Sequence, residues 1–225
     1  MRWQHPRRNL VASGEFIPLA EETRLIGPIG EWVIDEACAQ LARWRRAGYP
    51  KVRAAVNLAA EQLDGRGLVK LVRAQLERHR LSPGQLEVEV TERTAIADAA
   101  ATARTIAALK ELGVLITLDD FGTGHSSLQV LAESPFDTLK IDRSFVVRSL
   151  HTAKDRSLMA SIIALAHAID ITVVAEGVET REQLELLREF GADEIQGYFF
   201  SQPVPVAECE PFLTGRCAVE TGRLA

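Results

Sequence analysis

Helical patterns and short apolar strands alternate along almost the whole chain, and each unit carries a polar or acidic residue in its strand or just after it. Strands read at residues 51–58, 85–91, 114–118, 138–142, 171–175 and 194–200. Between them lie helical patterns from Pro28 to Gly48, over 67–80, over 97–112 with Gly113 as its stop, briefly after Ser126, and over 155–168. A last one opens on the capping box Thr180-Arg181-Glu182-Gln183 and stops at Gly191. Such alternation calls for a parallel sheet with helical crossovers. A doubly wound open sheet should carry a glycine-rich phosphate turn near its start, and none is present. A (β/α)8 barrel of ~250 residues needs eight strands. This 225-residue chain supplies six. The expected fold is therefore α/β, a TIM-like (β/α)8 barrel lacking its N-terminal one to two strands. Arg2-Trp3-Gln4-His5-Pro6 reads as the tail of an element whose beginning is absent, with the basic turn Arg7-Arg8-Asn9 after it. No linker rich in Pro, Gly or Ser divides the chain, so residues 1–213 read as one domain and 214–225 as a disordered tail.

The strand ends carry the chemistry. Asn57, Glu89, Asp119, Asp120, Lys140, Asp142, Glu176 and Gln196 recur at corresponding places in six consecutive units. In a barrel those ends gather at one rim, which holds the active site. Asp119 and Asp120 are neighbours, and neighbours in a strand point to opposite faces, so they share a site only where the strand ends and the backbone turns. Taken alone, such a pair is a strand-end turn; six convergent units are not explained by turns. Oxygen ligands without His or Cys point to Mg²⁺, Mn²⁺ or Ca²⁺. A bridging carboxylate suggests two ions about 3.5–4 Å apart, the arrangement used in phosphoryl displacement. Lys140 orients a water or balances charge.

A net charge of −5 argues against a nucleic-acid polymer as partner. Cys38, Cys209 and Cys217 are too scattered for a metal knuckle or a disulfide framework, which suits a reducing compartment. The start lacks the apolar core of a signal peptide, and the apolar stretch 158–175 is interrupted by His167 and Asp170. A cytoplasmic chain with no membrane segment is expected. His5, His79, His125, His151 and His167 show no metal-ligand spacing, and His167 reads as a packing residue. Cys38 reads as a small buried apolar group, the Trp32/Trp44 pair as core or dimer packing, and Glu179 and Glu182 as helix-start charges.

Seven stretches together resemble the EAL-domain family, bacterial phosphodiesterases that hydrolyse cyclic di-GMP to linear pGpG. They are Phe16-Ile17-Pro18-Leu19-Ala20-Glu21, Val56-Asn57-Leu58, Glu87-Val88-Glu89-Val90-Thr91-Glu92, the loop from Asp119 to Ser127, Leu139-Lys140-Ile141-Asp142-Arg143-Ser144-Phe145, Val174-Ala175-Glu176-Gly177-Val178-Glu179-Thr180 and Gln196-Gly197-Tyr198. The resemblance implies an EAL-type barrel with Asn57, Glu89, Asp119, Asp120 and Glu176 as ligands of two Mg²⁺ or Mn²⁺ ions. Lys140 and Asp142 would position the water and the metal shell, with Lys140, Glu176 and Asp120 as the catalytic groups. Arg2 and Gln196 would contact substrate, and Glu92 would hold the loop that follows Asp120. It also implies homodimerisation and an upstream sensor or GGDEF domain in a longer parent protein. The Glu-Ala-Leu triplet that names the family would end immediately before Met1, so its glutamate, a metal ligand in the family, falls outside the chain. Ala59, Glu61, His125 and Asp170 depart from residues common in the family. Two readings follow: the hydrolase, and an impaired relative that binds the dinucleotide or a protein partner. A Mg²⁺-dependent lyase on an unrelated barrel would need a Schiff-base lysine or an enolate site, and the motifs supply neither.

Overall fold

The computed structural model describes residues 1–63, 67–97, 99–122, 131 and 134–214. Six strands form one parallel sheet in strictly sequential order: β3 (Ala54–Asn57), β4 (Leu86–Thr91), β5 (Leu115–Phe121), β6 (Thr138–Ile141), β7 (Thr172–Ala175) and β8 (Glu194–Ile195). The helices α4 (Leu68–His79), α6 (Ala99–Glu111), α8 (Ala153–Ala168) and α9 (Arg181–Glu189) cross between them, and α2 (Ile26–Arg46) precedes the first. The short helices α3 (Ala60–Leu63), α5 (Glu92–Ala97) and α7 (Arg143–Arg148) follow strands directly, and α10 (Glu210–Leu213) lies near the C-terminus. Arg53, just before β3, reaches Glu194 of β8 at 2.8 Å. The first and last strands are thus drawn towards each other, and the curled sheet is a partial (β/α)8 barrel.

Strand alternation divides the sheet into two faces. Leu86, Val88, Val90, Ile116, Leu118, Leu139, Ile141, Val173 and Ala175 form one buried core with Ile34, Cys38, Leu41, Val72, Leu76, Ile106, Leu109, Met159, Ile163, Ala166 and Leu187 of the helices. The opposite face carries Glu87, Glu89, Thr117, Asp119, Thr138 and Lys140. Glu89 on this face is only 7% exposed, because curling encloses the polar face too.

The N-terminus departs from expectation. Residues 2–5 form β1 (Arg2–His5), which pairs antiparallel with β2 (Asn9–Ala12) in a hairpin outside the six-stranded sheet. The basic turn is present, with His5 Nδ1 accepting from the N–H groups of Arg7 and Arg8 at 3.0 and 3.1 Å. Helix α1 (Ser13–Glu22) was hidden by Pro18 in its interior. In α2 the buried stripe is Gly30, Ile34, Cys38 and Leu41. Trp32 points outward at 56% exposure while Trp44 packs on the core, so the two do not form a pair. Cys38 is fully buried as expected, and burial, helped by Asp35, pushes its thiol up to about 11. The helix expected after Ser126, with His125, lies outside the described residues, as does all of the expected tail beyond Thr214.

The strand starts are tied by a repeated device. Asp137, preceding β6, accepts from Ile116 N at 2.7 Å and pairs with Lys110 of α6. Asp193, preceding β8, accepts from Val173 N at 2.8 Å and meets His167 of α8 at 2.9 Å. His167 is therefore an exposed partner of Asp193 and not a packing residue; hydrogen bonds from Val173 and His167 outweigh partial burial and hold the Asp193 carboxyl below its ordinary value. Asp137→Ala leaves the N–H of fully buried Ile116 without its side-chain acceptor, which costs about 1–3 kcal/mol. Urea unfolding should show that loss in the midpoint with the slope unchanged.

Candidate metal and catalytic site

The pivot is a bulge in β5. Leu118 pairs with Leu139 and Phe121 with Ile141, so three steps along β5 oppose two along β6. Asp120 takes up the extra residue at φ 56°. Asp119 Oδ1 accepts from the Asp120 N–H at 2.9 Å, closing the distortion locally. The strand was expected to end before this pair, but it continues to Phe121. The bulge cancels the alternation, and Asp119 and Asp120 each offer an oxygen to a group with Glu176 in which all ligand atoms lie within 4.8 Å of one another. Gly122, at φ +97°, follows; a Cβ there would overlap the Phe145 ring of α7. Glu92, 3% exposed just past the end of β4, accepts from Gly122 N at 3.3 Å, and thereby holds the first residue after β5. The rest of the loop expected to rest on Glu92, residues 123–130, lies outside the described residues.

Lys140 of β6 organises the carboxylates. Its Nζ lies 2.7 Å from Glu176 Oε1, 2.8 Å from Glu89 Oε1 and 3.1 Å from Asp119 Oδ1, and the side chain is only 9% exposed. Glu89 also accepts from Asn57 Nδ2 at 2.6 Å, which links the β3 and β4 strand ends. Beneath them Thr117 hydrogen-bonds Glu87. Burial alone would lower the Lys140 pKa, but Asp119 and Glu89, with hydrogen bonds to Glu176 and Glu89, outweigh it and raise the value. The carboxylates shift upward as well. Burial is the largest cause for Glu89 and for Glu176, exceeding the opposing pull of Lys140. Asp120 is raised by burial, then by Asp119 and Asp142. These upward shifts agree: four carboxylates share one ammonium, so the cluster holds more negative charge than Lys140 balances.

This donor set fits a hard divalent cation. It offers oxygen atoms only, they converge, and charge remains to be neutralised. Asp142 caps α7 by accepting from Ser144 N at 2.8 Å, and its charge is felt at Asp120. Gln196 is exposed on the wall of a cleft of about 300 Å³ that also includes Glu176, Gly177, Arg143, Glu179 and Tyr198. Arg2 lies exposed on the N-terminal hairpin, where its guanidinium bonds the Met1 carbonyl at 3.1 Å, and it forms no ion pair among the described residues. Glu179, read as a helix-start charge, instead pairs with Arg143 at 2.9 Å. The adjacency of Glu179 to the Glu176-Gly177 turn is the signal that could have flagged it.

The chain is similar to known proteins over most of its length. The EAL domain profile matches residues 1–203. The chain is 45% identical over 208 residues to the bifunctional diguanylate cyclase/cyclic di-GMP phosphodiesterase MucR of Pseudomonas aeruginosa, covering 92% of this chain and 30% of that protein. It is 42% identical over 213 residues to the cyclic di-GMP phosphodiesterase NbdA of the same organism, covering 95% and 27%. The chain thus spans less than a third of the length of these relatives. Among solved structures, the MucR phosphodiesterase in complex with c-di-GMP superposes with a TM-score of 0.86 at 46% identity, covering 91% of this chain and 83% of that one.

Proton competition gives a test of the cluster. In the metal-free chain the raised carboxyls of Glu89, Asp120 and Glu176 bind protons more readily folded than unfolded. Their contribution to stability is therefore full below the ordinary carboxylate range and is lost as pH rises through the raised values. A divalent cation needs the same groups deprotonated. Mn²⁺ at a hundredfold excess over its dissociation constant should stabilise the fold by about 2.7 kcal/mol near pH 8, or roughly 5–10 °C. Thermal melts should show that shift shrink as the pH falls towards 5; a shift that grows on acidification contradicts the assignment.

Proposed function

Because this chain belongs to the EAL domain family, we propose that it hydrolyses cyclic di-GMP to linear pGpG at the cluster around Lys140. The observation that carries this reading is the convergence of Asp119, Asp120 and Glu176 on one point, with Lys140 and Glu89 beside it. Residues 1–213 carry the activity. Asp119, Asp120, Glu176, Glu89 and Asn57 hold two Mg²⁺ or Mn²⁺ ions, with Asp142 adding negative potential. When bound, the ions supply an acidified water and cover for the charge on the phosphoryl oxygens.

The chain's own groups do the rest. Lys140 stays an ammonium, because its pKa is held above the ordinary value, so it serves as a fixed cation and donor and not as a base. It orients Glu89, Asp119 and Glu176 towards a common point and neutralises part of their repulsion. Glu176 and Asp120, both half-buried and converging with Asp119, are the carboxylates placed to take the proton of the attacking water. Gln196 on the cleft wall and Arg2 on the hairpin contact the dinucleotide, Arg2 through a phosphate. An upstream sensor or GGDEF domain belongs to the same reading, consistent with the greater length of the relatives. No helix among the described residues is long and apolar enough to cross a membrane. A second reading, a module that binds the dinucleotide without turnover, is favoured by Asn57: it is exposed on β3, the end strand of the sheet.

A homodimer through α8 completes the proposal. Leu158, Leu165 and Ile169 are exposed and Ile162 half-exposed, at the spacing of a two-helix seam. Lys154 and Arg156 at its start and Asp170 just past its end are exposed charges of opposite sign. Two copies packed antiparallel bring those ends together.

Chromatography of cyclic di-GMP incubated with Mn²⁺ should show pGpG, and Asp119→Ala should cut the rate by more than about 100-fold. Turnover that survives Asp119→Ala overturns the metal assignment, while tight binding without turnover selects the second reading. The dimer is checked by sedimentation: Leu158→Glu with Leu165→Glu should yield monomers, and an unchanged mass contradicts the α8 seam.

A further inference from the structure

The turn that presents Glu176 is held from outside the carboxylate cluster. Gly177 sits at φ +68°, and a Cβ there would overlap Cβ, Cγ and Cδ of Arg143. The Arg143 stem therefore lies flat on the Gly177 backbone. Its guanidinium continues past the turn and pairs with Glu179 at 2.9 Å. The remaining residues of the turn are fixed by the main chain: Glu176 N donates to Ile141 O at 3.0 Å, Val178 N to Gln196 O at 3.1 Å, and Phe199 N to Val178 O at 2.9 Å. At its far end Gln183 Oε1 accepts from Glu179 N at 2.7 Å. At Gly177 it is the Arg143 side chain that packs against the turn. Arg143 is itself placed by the Asp142 cap of α7, one residue after Ile141 and Asp142 leave the Lys140 strand.

We propose that Arg143 is a positioning residue: its stem over Gly177 and its ion pair with Glu179 lock the 176–179 turn, so that the Glu176 carboxylate meets Lys140 and the cation site. The proposal rests on the reading of Glu176 as a metal ligand. The ion pair is 56% and 39% exposed at its two side chains, and exposed pairs contribute little to stability. Its effect is geometric. The clamp acts on where one carboxylate points, and so on metal affinity and kcat, and leaves the melting temperature nearly unchanged.

Arg143→Ala, Glu179→Gln and Arg143→Lys separate this role from others. Calorimetric titration with Mn²⁺ should show affinity about tenfold weaker in Arg143→Ala and Glu179→Gln, with kcat reduced, KM held and the melting temperature close to that of the parent. Arg143→Lys keeps a stem over Gly177 and a positive charge, and should recover most of the loss. Parental Mn²⁺ affinity in Arg143→Ala with a raised KM would instead make Arg143 a substrate contact and overturn the proposal. A loss in Arg143→Ala that Glu179→Gln does not share also overturns it. If the parent chain binds no Mn²⁺, the hydrolase reading itself fails. The clamp is then decided by hydrogen exchange at Val178, whose N–H donates to Gln196 O: loss of protection in Arg143→Ala supports it, and unchanged protection rejects it.

Discussion

A buried ammonium among buried carboxylates is the interaction on which the rest of this structure depends. Lys140 touches Glu89, Asp119 and Glu176, one side chain from each of three different strands besides its own β6 or the turn after one. An unpaired charge at such depth would be costly, and so would any one of the carboxylates alone. Together they are tolerable, and they remain tolerable only in the register that brings all four to one level of the barrel. The polar inner face is therefore a constraint on strand pairing as much as a site for chemistry. A one-residue slip of β6 would turn Lys140 into the helical layer and bring Leu139 or Ile141 into the acid cluster.

The bulge at Asp119-Asp120 reconciles that register with the need for a further carboxylate. Regular pairing would send Asp120 into the apolar layer beside Leu118. The extra residue, in a left-handed conformation uncommon outside Gly, Asn and Asp, keeps it on the polar side. Such strain is expected where a site demands it. The surrounding contacts support it from both directions: Glu92 from the end of β4 and the Phe145 ring from α7 both meet Gly122. Sheet, bulge and first helical turns thus form one mechanical unit around the cluster.

Much of this was legible in the sequence because it follows from period and punctuation. The parallel sheet of six strands and the Thr180 capping box came from apolar alternation and cap residues, and the structure bears them out, although the last strand, read at 194–200, covers only Glu194–Ile195. The gathering of Glu89, Asp119, Asp120, Lys140 and Glu176 followed from barrel geometry alone. Features set by tertiary contact were not legible. A strand continuing through two aspartates looks like a strand ending in them. Helix α1 contains a proline, and the hairpin at residues 2–5 resembles the frayed end of something longer. Trp32 and Trp44 share a helix but not a face, and His167 finds Asp193 across 26 residues of chain. Arg143 and Glu179 were passed over for the same reason: each satisfies a local rule, and only the fold shows that they meet.

The central claim is that this cluster is a divalent-cation site whose oxygens are gathered by Lys140. Crystals grown with Mn²⁺ and measured at the manganese absorption edge test it most directly. The account predicts anomalous density among the carboxylates of Asp119, Asp120, Glu176 and Glu89, with the bulge retained. Manganese bound only elsewhere on the molecule, with Lys140 still bonded to all three of its carboxylates, would contradict it.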